Sequence, residues 1–296
     1  MYIGRFAPSP TGPLHFGSLT AALASYLDAR ARGGDWLLRI EDVDTVRCRA
    51  AHADTIIHTL AGLGFRWDGE IWTQSQRTPH YEAALEQLAG RDRLYGCRCT
   101  RREIADAGPA GIDGPVYPGT CATLALCWRR HVARFRTTPG ILRFHDRVQG
   151  AVVQDVAGTV GDFVLRRRDG CIAYQLAVVV DDAAAGITHV VRGADLIDST
   201  PRQLMLQQAL GVATPSYLHL PVAMDENGQK LSKQTLAPAI AASEGTALLI
   251  RALRFLGQDT ADLAARAPAM LLTTAAQRWR PEAIPSLRDQ PAAVAG

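Results

Sequence analysis

The stretch Gly4-Arg5-Phe6-Ala7-Pro8-Ser9-Pro10-Thr11-Gly12-Pro13-Leu14-His15-Phe16-Gly17-Ser18 permits few local structures. The apolar run from Tyr2 to Phe6 reads as a strand. The prolines and glycines that follow can continue neither a strand nor a helix. Ser18 is the expected N-cap of a helix, because Leu19, Leu23, Tyr26 and Leu27 recur at helical spacing until Gly33-Gly34. A strand, a Gly/Pro loop and a helix N-terminus in that order aim backbone N–H groups and the positive helix end into the loop. That geometry suits a phosphate. His15 lies on the loop, where an imidazole can donate to a phosphate oxygen. The alternative is a common βα turn carrying a solvated histidine.

The same strand and helix alternation continues along the chain. Trp36 to Ile40 reads as a second strand, with Glu41-Asp42-Val43-Asp44 at its C-terminal end. Ligands of open parallel sheets bind at that edge, so the acidic cluster suits a substrate amine or a metal, or else forms a solvated turn. Helices are expected from Ala50 to Leu63 and from Thr78-Pro79 to about Ala89, which gives half of a doubly wound α/β fold. From Leu94 the cysteines, glycines, prolines and arginines of an insertion take over. The α/β pattern resumes at Cys171. Ile172 to Val180 is expected as a buried strand ending at Asp181-Asp182, and Ile187 to Val191 as another. Ser199-Thr200-Pro201 opens a helix to Leu210. His219 to Ala223 reads as the last strand, followed by a turn and Gln229-Lys230-Leu231-Ser232-Lys233-Gln234. Helices such as Ala247 to Leu256 come next, and the Pro/Ala-rich tail after Pro281 is expected to be loosely ordered. The division is therefore 1–93 and 171–236 for the two α/β halves, 94–170 for the insertion and 237–296 for a helical C-terminal part.

Composition adds three constraints. The net charge of +3 is too small to argue for nucleic acid on its own. Yet only Lys230 and Lys233 are lysines among 32 basic residues, the rest being arginine. A compact ammonium fits among phosphates where a planar guanidinium does not, so two lysines three residues apart suggest chemistry that arginine cannot replace. No stretch of 18 apolar residues and no signal-peptide core are present, so a cytoplasmic protein without a membrane span is expected. In that compartment six cysteines do not imply disulfides. Cys97-x-Cys99 with Cys121 is instead a metal pattern lacking an obvious fourth donor. Tyr117, Cys127 and His131 are near in sequence, and donor chemistry alone favours Cys127 or His131. Three buried reduced thiols are the alternative.

Arg5-Phe6-Ala7-Pro8-Ser9-Pro10-Thr11-Gly12 followed by His15-Phe16-Gly17-Ser18 resembles the first signature of the glutamyl class I aminoacyl-tRNA synthetases. Phe16 and Ser18 depart from its usual His-Ile-Gly-His. Lys230-Leu231-Ser232-Lys233-Gln234 resembles the second, Lys-Met-Ser-Lys-Ser, with Gln234 as a departure. The resemblance covers roughly residues 2–235. It implies a Rossmann-like class I catalytic domain (α/β) with a zinc-bearing insertion. The implied ATP site comprises Pro8, His15, Gly17, Ser18, Lys230, Ser232 and Lys233, with His15 and Lys233 catalytic and Mg²⁺ accompanying ATP. Tyr117-Pro118-Gly119-Thr120-Cys121 is similar to the Tyr-x3-Cys element of the family's insertion. This selects Tyr117, with Cys97, Cys99 and Cys121, as ligands of one structural Zn²⁺.

Glutamate carries one ammonium and two carboxylates, so a site for it needs an acid and at least one arginine fork. Arg5, Glu41 and Arg192 sit at expected strand ends on the ligand edge, and Tyr174 lies in the expected strand before Asp181. An ion pair of Arg192 with Asp195 at the surface is the alternative for that residue. In the family, positions matching Arg5, Phe6, Ala7, Pro8, Ser9, Glu41, Tyr174 and Arg192 line the glutamate pocket. The spelling of Leu38 to Asp44, Ala194 to Gln203 and the lysine loop is most similar to a short subgroup, the glutamyl-queuosine tRNA(Asp) synthetases. Its members activate L-glutamate without tRNA and transfer it to queuosine in the anticodon stem-loop of tRNA(Asp). The 63 residues after Lys233 are too few for a separate anticodon-binding domain. A monomer is expected. The arginines between Arg129 and Arg147 are plausible phosphate contacts. The rival readings are a truncated glutamyl-tRNA synthetase charging the tRNA 3′ end, and a non-catalytic relic that binds tRNA or glutamate.

Overall fold

The computed structural model describes residues 1–231, 240 and 244–292. The first half begins with β1 (Ile3–Phe6), α1 (Phe16–Arg30) and β2 (Asp35–Ile40). The two strands are parallel, with Phe6 opposite Leu38. After α2 (Ala50–Gly62), the short β3 (Trp72–Thr73) pairs parallel with β2, and α3 (Thr78–Gly90) closes the half. Apolar residues at helical spacing on α1 bury Leu19, Leu23 and Leu27 completely. Trp36, which stacks on Phe65 at 5.7 Å, lies in the same core.

The middle of the chain forms β4 (Leu94–Cys97), α4 (Arg101–Ala107), β5 (Ala110–Gly111), β6 (Gly114–Pro115), β7 (Val132–Phe135), β8 (Ile141–Asp146), β9 (Gly150–Asp155), α5 (Val156–Thr159) and β10 (Val164–Arg166). β7 lies between β4 and β10 in an antiparallel sheet. The hairpin of β8 and β9 leaves that sheet, and Asp146 of β8 pairs with Tyr217.

The last part comprises α6 (Tyr174–Ala184), β11 (His189–Gly193), α7 (Thr200–Leu210), β12 (Ser216–Leu220), β13 (Val222–Met224), α8 (Gly245–Phe255), α9 (Pro268–Gln277) and β14 (Asp289–Pro291). β11 and β12 are parallel. Hydrogen bonds of 2.9 Å from Ile3 N to Thr188 Oγ1 and from Thr188 N to the Ile3 carbonyl join β1 to the chain entering β11. The C-terminal edges of β1, β2 and β11 thereby come together. Helix α8 packs behind α1, with Phe255 edge-on to Phe16 at 5.6 Å.

Four expectations change. Residues 172–180 are no strand: Tyr174 opens helix α6, which buries seven of its eleven residues. A helix covered on most sides reads in sequence as an unbroken apolar run, as a buried strand does, and periodicity cannot separate the two. The N-cap of α1 is His15, not Ser18; its Nδ1 accepts the Ser18 N–H at 3.3 Å, the bond a serine at that position would make. Residues 219–223 divide into two strands at Pro221, which has no N–H for a ladder. The tail is not loose over its described residues, because β14 adds a parallel strand to β13 and Ala292 N donates to the Met224 carbonyl at 2.8 Å.

Candidate active site

A cleft of about 560 Å³ opens at the C-terminal edges of β1, β2 and β11. Every residue singled out above for ATP or glutamate lines it, except Ser232 and Lys233, which lie outside the described residues. The end of β1 supplies Arg5 and Phe6, the loop after it supplies Ala7 to Ser9, and the Glu41 N–H donates to the Pro8 carbonyl at 3.0 Å. That bond draws the end of β2 against the loop.

One wall of the cleft is a network of buried charges. Arg5 donates from Nε to both oxygens of Asp182, at 3.2 and 3.3 Å. Arg39 donates to Asp182 at 2.7 Å and to Glu41 at 3.0 Å. Asp182 projects from α6 beside Asp181, which accepts from Gln74, Arg77 and Tyr81. Burial drives the Glu41 carboxyl above its usual range, against the pull of Arg39 and Arg5. A cation entering the cleft would favour the charged form of Glu41. Asp182 moves the other way, since Arg5 and Arg39 outweigh its burial.

Arg192 faces this wall from β11 and is 5% exposed. It does not pair with Asp195 at the surface. Its Nε donates to His219 Nε2 at 3.0 Å, and its terminal nitrogens donate to the Tyr174 hydroxyl at 3.1 Å and to Thr200 Oγ1 at 2.8 Å. All three partners are neutral. Among the described residues no carboxylate oxygen lies within 4.0 Å of its guanidinium. A buried guanidinium without a counterion is a ready site for an anion.

At the opposite end, the His15 ring folds back over Gly17. A Cβ on Gly17 would meet that ring at 3.3 Å and the Leu231 carbonyl at 3.4 Å. Nδ1 accepts from Ser18 N, so a neutral ring carries its proton on Nε2, 2.9 Å from Ser18 Oγ. Lys230 lines the same end and reaches Asp195 at 2.5 Å.

The cysteines form a second constellation. The Sγ atoms of Cys97, Cys99 and Cys121 all lie within 4.8 Å of one another. The Tyr117 hydroxyl is 3.3 Å from Cys97 Sγ and accepts from Cys121 N at 2.9 Å. Burial disfavours the Cys121 thiolate, but the Arg98 backbone N–H and the Tyr117 hydroxyl lower its pKa to about 7. Burial raises Cys99 to about 11. The first proton is therefore released readily, and a metal cation would displace the others. Three converging thiols and a phenol fit a soft, four-coordinate metal ion. Cys127 is exposed and His131 turns to the Cys127 carbonyl, and neither joins the thiol group.

Several expected phosphate contacts are committed elsewhere. Arg147 forms a two-pronged ion pair with buried Asp28, and Arg129 pairs with Glu86. Sequence reasoning missed Arg39, Asp146, Asp182, Thr200 and His219 as members of the site. The adjacency of Asp182 to the mis-assigned strand was the one available signal. Nothing in the spacing of Asp146 and His219 hints that they meet.

A family model described as tRNA synthetases class I (E and Q), catalytic domain, matches residues 3–247. A protein of Dechloromonas aromatica named glutamyl-Q tRNA(Asp) synthetase is 54% identical over 288 residues, covering 96% of each chain. One of the same name from Thiobacillus denitrificans is 50% identical over 292 residues, covering 96% of this chain and 95% of its own. A crystal structure of a glutamate tRNA ligase from Elizabethkingia meningosepticum, in complex with its amino acid, superposes with a TM-score of 0.80 at 25% identity. The match covers 97% of this chain and 66% of that one. Among the described residues no helix is long and apolar enough to cross a membrane.

Proposed function

From a chain that belongs to the family of class I tRNA synthetase (E and Q) catalytic domains, we infer an ATP-dependent ligase that activates L-glutamate without tRNA and transfers it to the queuosine base in the anticodon of tRNA(Asp). The observation that carries the activation half is a single cleft holding Glu41, Arg5 and Arg192 next to the His15 loop. The name borne by relatives matched over nearly their whole length supports the choice of acceptor.

In this reading Glu41 takes the substrate ammonium, and Arg5 and Arg192 take its two carboxylates, with the Tyr174 hydroxyl held between Arg192 and the substrate. A carboxylate oxygen of glutamate attacks the α-phosphorus of ATP in line, forming the acyl-adenylate and releasing pyrophosphate. The N-terminus of α1, His15 and Ser18 bind the phosphates through N–H and O–H donors. Lys230 and Lys233 of the lysine loop neutralise charge on the leaving pyrophosphate, to which the Ser232 hydroxyl donates. Mg²⁺, arriving with ATP, supplies further charge neutralisation. A hydroxyl of the queuosine cyclopentene diol then attacks the acyl carbonyl and displaces AMP, gaining the glutamyl ester. This diol resembles the terminal ribose diol that charging enzymes acylate, so one active site can serve an anticodon loop.

Two measurements test this. Glutamate-dependent ATP–pyrophosphate exchange should proceed with no tRNA present. Radiolabelled glutamate should then appear on tRNA(Asp) carrying queuosine and not on tRNA(Asp) carrying guanosine, and should survive removal of the 3′-terminal adenosine. Label that depends on that adenosine, or that appears on tRNA(Glu), establishes a truncated charging enzyme instead. Exchange absent under all conditions establishes the non-catalytic reading.

Cys97, Cys99, Tyr117 and Cys121 hold one structural Zn²⁺ in this reading, closed to water and remote from the chemistry. Elemental analysis should find about one zinc per chain. Chelation should expose the three thiols to a thiol reagent that otherwise reaches only the more open cysteines, and should lower Tm. Thiol reactivity indifferent to the chelator would remove the metal from the proposal.

A further inference from the structure

Arg5, Arg39 and Arg192 are all buried around the cleft, yet they are held differently. Arg5 and Arg39 are each bonded to carboxylates. Behind Arg192 stands a relay instead. His219, fully buried on β12, receives the Arg192 Nε–H on Nε2 at 3.0 Å and presents Nδ1 to Asp146 at 2.7 Å. Asp146, also fully buried, ends β8. Its Oδ1 accepts three backbone N–H groups, from Val148 at 3.0 Å, Gln149 at 2.9 Å and His219 at 3.1 Å.

This bonding admits one tautomer. A guanidinium only donates, so Nε2 of His219 must be an acceptor; a carboxylate only accepts, so Nδ1 must carry the proton. Burial lowers the His219 pKa to about 4, with the nearby Arg192 charge acting in the same direction. The ring is thus neutral near neutral pH. Arg192 is fixed by an acceptor that does not cancel its charge, and the carboxylate that orients the acceptor sits one ring further away.

We propose that Asp146 and His219 are positioning residues that hold Arg192 as an uncompensated guanidinium, and thereby set the affinity of the cleft for an amino-acid carboxylate. A carboxylate at position 219 would orient Arg192 equally well but would occupy its charge, as Asp182 does for Arg5. The relay gives orientation without neutralisation. The β8–β9 hairpin pairs onto β12 rather than onto the sheet of β4, β7 and β10, and that pairing delivers Asp146 to the edge of β12 beside His219. The ligand named here rests on the glutamate-activating function proposed above.

The variant Asp146→Asn is a sharp probe. Three backbone donors require the amide carbonyl at the Oδ1 position, so the NH₂ group must face His219 Nδ1. The ring then carries its proton on Nε2, donor against donor with Arg192. In glutamate-dependent exchange, KM for glutamate should rise roughly 10- to 100-fold, the range for removing an orienting partner of a binding group. KM for ATP and kcat should change little. The ¹⁵N spectrum of His219 should pass from the Nδ1–H to the Nε2–H tautomer. Adding His219→Gln, whose rotatable amide can turn its carbonyl to Arg192, should return KM for glutamate toward wild type.

A glutamate KM unchanged in D146N, or an ATP KM raised by the same factor, overturns the proposal. If D146N does not fold, His219→Gln and His219→Met decide. Glutamine at 219 should hold KM for glutamate near wild type and methionine, which cannot accept well, should raise it; equal values overturn the proposal. Wild-type protein that activates no glutamate removes the ligand and the proposed function together. Wild-type activity with an indifferent D146N removes the positioning role alone.

Discussion

Glutamine should be activated roughly 10²- to 5 × 10³-fold less efficiently than glutamate, measured as kcat/KM in tRNA-free ATP–pyrophosphate exchange. The two amino acids are nearly isosteric and share the α-amino and α-carboxylate groups, so only the side-chain terminus distinguishes them. Arg5 and Arg192 both present donors alone. A carboxylate satisfies such a fork with two oxygens, whereas an amide offers one oxygen and turns an NH₂ group toward a buried cation. Leaving a buried charge without its counterion costs about 3–5 kcal/mol, which sets the size of the discrimination. The absence of a compensating charge on the protein partners of Arg192 makes the upper end of that range reachable. Arg192→Gln should abolish the preference while lowering activity with glutamate, because a neutral fork has no reason to prefer an anion. Comparable activation of glutamine and glutamate by the wild-type protein would overturn this assignment of the pocket.

The parts of this site legible in sequence are those whose chemistry is local. The strand, loop and helix around His15 can be read because proline, glycine and a following helical period each act within a few residues. The three cysteines can be read because metal ligands cluster in spacing as well as in space. The position of Glu41 follows from the end of β2. What the sequence concealed is non-local or ambiguous by nature. Helix α6 reads as a strand in the sequence because burial on most sides erases its polar stripe. With it went the correct setting of Tyr174, which stands on the first helical turn, and of Asp182, which reaches Arg5 from that helix. The meeting of Asp146 with His219, 73 positions apart, depends on the parallel pairing of Asp146 with Tyr217, which no periodicity encodes. The arginine-rich middle of the chain is ambiguous in another way, since Arg129, Arg130 and Arg143 are exposed while others are internal. Charge there suggested a surface for phosphates, but Arg147 is an internal tie and Arg134 and Arg166 lie over Tyr117 and Trp128. Arginine can pack and pair internally or face solvent, and composition cannot tell these apart.

The internal tie of Arg147 leads to the largest expected stability effect. Asp28, near the end of α1, is fully buried. Its carboxylate accepts from the Tyr2 hydroxyl at 2.5 Å, from both terminal nitrogens of Arg147 at 2.6 and 2.9 Å and from the Trp279 indole at 3.0 Å, and it also pairs with Arg32. These groups come from the strand entry, from the turn after β8 and from the residues following α9. Asp28→Asn keeps the shape but replaces half of the acceptor with a donor, leaving Arg147 and either Tyr2 or Trp279 facing an N–H group. The cost should be about 3–5 kcal/mol, the scale for breaking a buried charge pair, and Tm should fall by roughly 10 °C. Arg32→Ala should cost far less, since that side chain is 40% exposed and screened by water. Burial alone would raise the Asp28 pKa, but Arg147, Tyr2 and Trp279 overcome it and hold the group well below the ordinary carboxylate range. A depressed folded-state pKa contributes stability that is complete above the unfolded value of about 4 and is lost as pH falls below it. The gap in Tm between wild type and Asp28→Asn should therefore be wide at pH 7 and narrow progressively in acid. His15 stands at the other end of the same helix, about 20 Å away, so exchange activity well below Tm should survive the substitution. A variant as stable as wild type at pH 7, or a gap that does not narrow in acid, would show that α1 is held by its apolar face alone and that Asp28 is not the tie between the three segments.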